Sequence, residues 1–349
     1  MTALSGTLVL DLTRLLPGGV ATQQLADWGA EVIKIEQPGE GDYARRMSPA
    51  VFASTNRGKK SVGIDLKTPR GRELLMSLAR RADVLVEGNR PGVMARLELG
   101  YESLRAVNER LIYASLTGYG QQGRYSQLAG HDINYIALGG LLGLNLPVIP
   151  GVQIADLVGG SMQTVMGILL ALVERNRTGK GAHVDVSMYA GVTNLLTVPL
   201  AQWQETKQEP APGNGRLSGR YACYNLYQTA DGRWLAVGAL EPKFWAELCR
   251  KLGCEELIVR QYEEPQDALK ARVAEIFRCR TAREWFEATR SSDCCVTPVR
   301  TIGEVAEELP ECDGPPPPRL GEHTREVLGA RCGLAEKELE DLRAQGVIA

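Results

Sequence analysis

Short apolar runs alternate with segments of helical spacing along the N-terminal third of the chain, and this alternation most restricts the fold. Strand–helix–strand order argues for a parallel sheet joined by right-handed crossovers. The predicted strands are Thr7–Leu12, Val32–Glu36, Ser61–Leu66, Asp83–Glu87 and Leu111–Leu116, with helices over Val20–Trp28 and from Pro69, Pro91 and Tyr101. We therefore predict an α/β fold whose large domain is doubly wound and Rossmann-like.

The turn after the first predicted strand argues against one common use of such a fold. Leu15–Gly19 does not contain the GxGxxG fingerprint that cradles a dinucleotide pyrophosphate. An NAD-dependent enzyme is therefore disfavoured.

The pattern changes after a polar stretch rich in proline and glycine, 204–219, which we interpret as a linker. Beyond it, Asp231–Gly232 separates two apolar runs, as in a hairpin. The predicted elements are strands at Tyr224–Gln228 and Trp234–Gly238, helices from Pro242, Pro265 and Thr281, and a strand near Val296–Val299. These segments predict a smaller α+β domain.

Composition excludes several classes of function. The formal net charge of the 349 residues is -2, so no global field attracts nucleic acid. The eight cysteines are scattered without a CxxC pair, which fits reduced thiols in a cytosolic protein. No secretory signal is apparent, and the run Ile168–Val173 is too short for a membrane span. We expect a soluble cytoplasmic protein that binds neither nucleic acid nor membrane.

Two side chains between Gly130 and Arg175 are candidates for proton transfer. The imidazole of His131 and the carboxylate of Asp156 can each exchange a proton near neutral pH if the site tunes them. Asp156 precedes a glycine pair, Gly159–Gly160, where we expect the backbone to approach a ligand closely. Taken alone, His131 is more often a capping or core histidine, and Asp156 could equally cap its helix.

Charged residues elsewhere add weaker candidates. Glu241 lies at a strand-to-helix corner, a common place for site residues, although a helix N-terminal charge favoured by the macrodipole explains it as well. Arg90 follows a strand end at a helix start, where anions bind. For Lys59 and Lys60 a solvated charged surface is the better interpretation. Lys67 and Arg96 complete the basic set.

These residues in this order resemble the family III CoA-transferases and, within them, the α-methylacyl-CoA racemases, over nearly the whole chain. The superfamily marks are Pro17–Gly18, Glu31–Glu36 with Pro38–Gly39, Arg90–Val93 and Gly179–Gly181, and the racemase marks are Gly130–Tyr135 and Gly238–Pro242. CoA-transferases usually carry tyrosine at the position of His131. That difference favours the racemases.

The resemblance implies an interlocked homodimer with an acyl-CoA substrate. It implies a large domain at 1–200, a linker at 201–222, the small domain at 223–308, and a return linker with the C-terminal part of the large domain at 309–349. The site would lie between the large domain of one chain and the small domain of the other.

The resemblance also implies residue roles. His131 and Asp156 would transfer protons on opposite faces of an enolate, the backbone N–H of Asp132 would face the enolate oxygen, and Glu241 would orient His131. The coenzyme A contacts implied are Arg90, Lys67, Arg96, Lys60 and Ile64. No metal and no separate cofactor is required, because coenzyme A arrives as part of the substrate. The alternative is CoA transfer between carboxylic acids through a thioester on Asp156.

The sequence departs from the family pattern in three features. Gln37 occupies the position where many members have an arginine that contacts coenzyme A. The loop between His131 and Asp156 is shorter than in typical racemases, and the methionine-rich acyl surface is reduced to Met188. These departures leave open an acyl group that is smaller or more polar than a fatty chain.

Overall fold

The computed structural model describes residues 2–309 and 314–349, which form two compact units. Unit one contains the chain up to Leu142, the segment Val148–Val198 and the chain from residue 314 onward. Unit two contains Gly143–Pro147 and the chain from Pro199 to residue 309. The part of the predicted return linker at 310–313 lies outside the described residues.

Unit one is built on a parallel sheet of six strands in the order β3-β2-β1-β4-β5-β6. The strands are β1 (Leu8–Leu12), β2 (Glu31–Glu36), β3 (Lys60–Gly63), β4 (Val84–Glu87), β5 (Ile112–Thr117) and β6 (His183–Ser187). The order reverses direction between β1 and β4, as in doubly wound folds. The predicted α/β architecture is therefore confirmed.

Helices surround this sheet on both faces. They are α1 (Leu15–Asp27), α2 (Ala44–Met47), α3 (Pro49–Thr55), α4 (Pro69–Ala79), α5 (Val93–Arg96), α6 (Tyr101–Val107), α7 (Asp132–Leu138), a π-helical segment (Ala155–Met162) continued by α8 (Gln163–Thr178), and α9 (Met188–Thr193). Every residue of β1, β4 and β5 is buried, because helices cover both faces. This explains why these strands are continuous apolar runs in the sequence.

The C-terminal segment completes unit one. This segment is the last part of the chain, yet it folds back onto unit one. Its apolar side chains enter the same core as β1–β3, and they include Val327, Leu328, Leu339 and Leu342. An antiparallel bridge joins Ile64 to Ile348 beside the edge strand β3. The segment therefore covers an edge that would otherwise expose unpaired backbone groups.

The remaining helices belong to unit two and to the C-terminal segment. Helix α10 (Thr197–Thr206) starts at the last two residues of the segment Val148–Val198 of unit one and continues into unit two. Unit two also contains α11 (Pro242–Leu252), α12 (Asp267–Phe277), α13 (Ala282–Thr289) and α14 (Ile302–Ala306), and the C-terminal segment contains α15 (Thr324–Cys332) and α16 (Glu336–Ala344). Helix α10 occupies the beginning of the predicted linker.

Unit two contains an antiparallel sheet, β7 (Tyr224–Gln228), β8 (Trp234–Gly238) and β9 (Val296–Pro298), in that order. Its core contains Trp245 and Trp285, whose indole N–H groups donate to the carbonyls of Leu257 and Phe277 at 3.0 and 2.8 Å. The predicted hairpin at Asp231–Gly232 is confirmed by the pairing of β7 with β8.

The prediction that Ile168–Val173 is too short for a membrane span applies to that run and not to the longer helix that contains it. The run lies within a continuous helix, Ala155–Thr178, of 24 residues, and an 18-residue stretch of this helix has a mean hydropathy of 1.6. By length and composition alone this helix could cross a membrane, although core helices of soluble proteins pass the same test. Its exposed face contains Met162, Met166 and Leu170.

Candidate active site

A cavity of about 640 Å³ opens in unit one at the carboxyl ends of β1, β4 and β5. Its walls come from the segments that follow these strands, Thr13–Gly18, Gly88–Pro91 and Leu116–Tyr119. Ligands of open α/β sheets bind at the carboxyl ends where the strand order reverses. The cavity therefore occupies the position where this fold places its ligands.

His131 and Asp156, the two residues predicted to transfer protons, both line this cavity. His131 is the N-cap of α7 in extended conformation, and its backbone N–H donates to Oδ1 of Asn134 at 3.0 Å. Helix α7 therefore begins directly after His131, and the side chain of His131 is exposed.

The glycine pair after Asp156 has a different role from the predicted one. A Cβ at Gly159 would lie 2.5 Å from the carbonyl oxygen of Met188, and one at Gly191 would lie 2.3 Å from that of Gly159. The glycines thus let the π-helical segment pack directly against α9. The prediction that the pair admits a ligand was wrong, since the close neighbour is a helix.

Asp156 does not cap its helix either, because it lies inside the first turn and Ile154 precedes the segment in helical conformation. Burial and, next, the neighbouring carboxylate of Asp132 raise the pKa of Asp156 to about 6, against the opposing charge of His131. Its backbone N–H donates to Oδ1 of Asp132 at 2.9 Å. A carboxyl group with such a pKa can both accept and release a proton near neutral pH.

Glu241 lies in unit two, at the N-cap of α11, and its side chain is exposed. The preceding loop is fixed from the other side, because the amide of Gln261 donates to the carbonyls of Ala239 and Leu240 at 3.1 and 2.9 Å. The predicted hydrogen bond between Glu241 and His131 would join two copies of the chain, and it stays a prediction.

The basic candidates divide by location. Arg90 lines the cavity, whereas Lys67 and Arg96 are exposed outside its lining. The side chain of Ile64 is buried in the core. Lys60 is bound by two carboxylates, Glu326 at 2.8 Å and Glu31 at 3.3 Å. Of the predicted coenzyme A contacts, Arg90 alone lines the cavity.

The interpretation of Lys59 as a solvated surface residue was wrong. Its ammonium group is fully buried and lies 3.1 Å from Oδ2 of Asp11, 2.7 Å from the hydroxyl of Thr22 and 3.0 Å from Oδ1 of Asn56. A buried charge survives only when it is paired and hydrogen-bonded, as here.

Lys34 extends this network toward the cavity. Its ammonium group lies 2.9 Å from Oδ2 of Asp42 and 3.8 Å from Oδ2 of Asp11, and it donates to the carbonyl of Thr13 at 2.9 Å. We call Asp11, Lys34, Asp42 and Lys59 the buried charge cluster. It lies directly beneath the cavity wall at Thr13–Gly18.

Among the lining residues that sequence reasoning does not single out are Arg14 and Tyr119. Arg14 belongs to the segment after the first strand, which lacks a dinucleotide fingerprint. Tyr119 forms edge-to-face contact with Tyr135 at 5.0 Å between ring centroids. The location of Arg14 after a strand of a doubly wound sheet was the signal that could have identified it.

Within residues 2–309 and 314–349, no group of three or more His, Cys, Asp or Glu side chains could hold a metal ion.

The fold and the cavity match one known family. The model of the CoA-transferase family III matches residues 4–311. The chain therefore belongs to the family III CoA-transferases, and it is an enzyme of that superfamily.

Individual relatives narrow the comparison. The chain is 38% identical to the human (Homo sapiens) α-methylacyl-CoA racemase over 99% of this chain and 97% of the relative. It is 36% identical to an acetyl-CoA:oxalate CoA-transferase of Acetobacter aceti over 88% of this chain and 82% of that protein. A CaiB/BaiF family protein from Brucella suis has a similar crystal structure, with a TM-score of 0.79 and 28% identity over 94% of this chain and 99% of that one. The chain thus resembles isomerases and transferases of one superfamily.

Proposed function

We propose that the protein racemises or epimerises 2-methyl (2-aryl or 2-alkyl) acyl-CoA thioesters by 1,1-proton transfer through an enolate. The observation that carries this proposal is that His131 and Asp156 line one cavity, with the pKa of Asp156 raised to about 6. Such a reaction needs two groups that each serve as base in one direction and as acid in the other. An imidazole and a carboxyl group that line the same cavity meet that need.

The enolate oxygen needs hydrogen-bond donors in addition to the base. In this proposal the backbone N–H of Asp132, the first residue of α7, donates to it. The first N–H groups of a helix have no acceptor within the helix. A donor aimed at a developing oxyanion typically contributes about 3–4 kcal/mol.

The remaining roles involve the rest of the substrate and a second copy of the chain. Arg90 binds a phosphate of coenzyme A, with Lys67 and Arg96 as further contacts. Glu241 of the second copy orients His131 in an interlocked homodimer. The exposed apolar side chains of Met162, Met166 and others on the same helix support a partner that covers them.

The proposal is tested by incubating each enantiomer of a 2-methylacyl-CoA in deuterated water. We expect α-proton exchange together with loss of optical purity. Replacing His131 by Ala or Asp156 by Asn should reduce racemisation by about 10²–10⁴-fold, the usual contribution of a positioned acid or base. Each variant should still exchange the α-proton of one enantiomer, the one whose proton faces the remaining base.

The matched control is Asp27→Asn, which removes an exposed carboxylate of α1 outside the cavity lining. It should racemise like the parent protein. No deuterium uptake and full retention of configuration across several acyl chains would contradict the proposal.

A second candidate function is CoA transfer between carboxylic acids, favoured by the 36% identity to the oxalate CoA-transferase. Asp156 would then attack the thioester to form a mixed anhydride and release the CoA thiolate. The thiolate would attack the aspartyl carbonyl of the anhydride, releasing the first carboxylic acid and forming an aspartyl-CoA thioester. Hydroxylamine trapping at Asp156 during turnover, found by mass spectrometry, would establish this reaction. The racemase leaves Asp156 unmodified under the same conditions.

A further inference from the structure

Two guanidinium groups line the cavity, those of Arg90 and Arg14. Within residues 2–309 and 314–349, neither forms an ion pair with a carboxylate. The acidic group of the lining is Asp156, whose pKa is itself raised. The cavity walls thus place two guanidinium groups against a single carboxylate, which leaves an excess of positive charge.

Neutral groups fix the orientation of Arg14. One terminal nitrogen (Nη1) donates to the hydroxyl of Tyr43 at 2.9 Å, and the guanidinium lies 5.0 Å from the centroid of the same ring. Both contacts hold the side chain and leave its charge available. A guanidinium that is already oriented loses less freedom when it binds an anion.

The backbone on both sides of Arg14 is held by the buried charge cluster. Before it, the N–H of Thr13 donates to Asp11 at 2.9 Å. After it, Leu15 has a left-handed backbone with φ of 63°, and its N–H donates to Oδ1 of Asp42 at 3.0 Å. Strained residues of this kind persist where the surroundings determine them strongly, and they are concentrated at functional sites.

We propose that Arg14 binds an anionic oxygen group of the thioester substrate other than the group bound by Arg90. The planar guanidinium fork matches a carboxylate or a phosphate with two parallel hydrogen bonds. The group is therefore either a carboxylate on the acyl chain or a second phosphate of coenzyme A. This inference rests on the proposed function, because it takes the cavity as the acyl-CoA site.

The two sources are separated by four probes, whose binding is measured by calorimetry in an Asp156→Asn background in which racemisation is slowed. 2-Methylsuccinyl-CoA and 2-methylbutanoyl-CoA have equal numbers of acyl carbons and differ in a distal carboxylate against a methyl group. The pantetheine thioesters of the same two acids lack the phosphates.

If Arg14 binds the acyl carboxylate, Arg14→Gln weakens the binding of both methylsuccinyl probes by about tenfold to a hundredfold. The binding of both methylbutanoyl probes then stays nearly unchanged. If it binds a phosphate, the variant weakens both CoA esters equally and neither pantetheine thioester. Either result supports the proposal and identifies the group. Equal binding of every probe to parent and variant overturns it, as does failure of the parent to bind any of them.

Controls separate recognition from folding. Arg46→Gln removes an exposed arginine of α2 that does not line the cavity, so it should bind every probe like the parent. Arg14→Lys keeps the charge without the fork and should retain part of the affinity. Thermal unfolding of Arg14→Gln should match that of the parent, because the side chain is exposed.

The outcome is independent of the racemisation test. If the protein exchanges no α-proton but Arg14 still discriminates among the probes, racemisation fails and the anion site stands. If racemisation is observed while Arg14→Gln binds every probe normally, the anion site fails and the proposed function stands.

Discussion

Asp11 and Asp156 are both at least partly buried, yet their pKa values are shifted in opposite directions from that of an ordinary aspartate. Burial alone would raise both pKa values. At Asp11, two ammonium groups, Lys34 and Lys59, and the hydroxyls of its neighbours outweigh burial and hold the pKa well below its usual range. At Asp156, burial and the carboxylate of Asp132 raise the pKa to about 6.

The comparison shows that burial does not decide what a carboxylate does in this protein. Its neighbours do. Asp11 stays ionised and serves as an anchor for the cavity wall, because positive charge surrounds it. Asp156 changes its protonation state near pH 6, because burial and, next, the negative charge of Asp132 outweigh the effect of His131. The two carboxyl groups lie in the same unit, but positive charge stabilises the ionised form of Asp11, whereas the negative charge of Asp132 disfavours the ionised form of Asp156.

The largest expected effect follows from removing a positive charge at the anchor. Lys34→Met leaves Asp11 and Asp42 buried with one ammonium group in place of two. Breaking a buried ion pair from one side typically costs about 3–5 kcal/mol. We expect a loss of this size in the free energy of unfolding, measured by urea denaturation at neutral pH. A loss below about 1 kcal/mol would contradict the assigned role of the cluster.

The opposite sign is expected at the reactive carboxyl group. The pKa of Asp156 rises from 3.8 to about 6 on folding, so keeping it ionised at neutral pH costs stability. Asp156→Asn should therefore stabilise the fold by roughly 1–2 kcal/mol, after allowance for its partial exposure.

The pH dependence of that gain provides its own check. A group whose pKa is raised on folding lowers stability as pH rises from its unfolded value toward its folded value. The advantage of Asp156→Asn should be smallest near about pH 4, grow to about pH 6 and stay constant above it. Thermal unfolding at several pH values measures this, and an advantage independent of pH would refute the pKa assignment.

A smaller effect is expected from Asp132→Asn. The amide oxygen can still accept the N–H of Asp156, but the negative charge that raises its pKa is gone. The acidic limb of kcat/KM should therefore move to lower pH. The control Asp27→Asn should leave the limb in place, and an unmoved limb in Asp132→Asn would mean that burial alone sets the pKa.

The smallest effect is expected at Lys60, the exposed neighbour of Lys59. Its two ion pairs with Glu31 and Glu326 are partly solvated. Exposed pairs contribute about 0–1 kcal/mol, so Lys60→Met should change the free energy of unfolding by less than that. This variant is also the matched control for Lys34→Met. A loss as large as that of Lys34→Met would remove the distinction between buried and exposed lysines.

The sequence predicted the fold well where one physical signal dominates. Buried parallel strands must be continuous apolar runs, and the strands at β1, β4 and β5 were recognised for that reason. The predicted strand at 61–66 ends earlier, at Gly63, because the backbone N–H of Asp65 donates to the carbonyl of Val347, near the C-terminus. A contact so distant in the chain leaves no local pattern.

The site was predicted less completely than the fold. His131 and Asp156 were identified because the resemblance marks their motifs, and they do line one cavity. The sequence predicts Lys59 to be a surface residue, since a lysine beside a second lysine gives no sign of the buried carboxylate of Asp11 with which it pairs. Arg14 was missed, because its direction depends on a left-handed neighbour and on Tyr43, 29 positions away.

The bridge between Ile64 and Ile348 has a consequence for biosynthesis. A ribosome delivers β3 early, then all of unit two, and only afterwards the segment that covers the edge of β3. Throughout that interval the nascent chain carries an open strand edge, a template for unwanted pairing with other chains. Chaperone dependence during translation, and aggregation of chains that stop before residue 314, are the expected results of this order of synthesis.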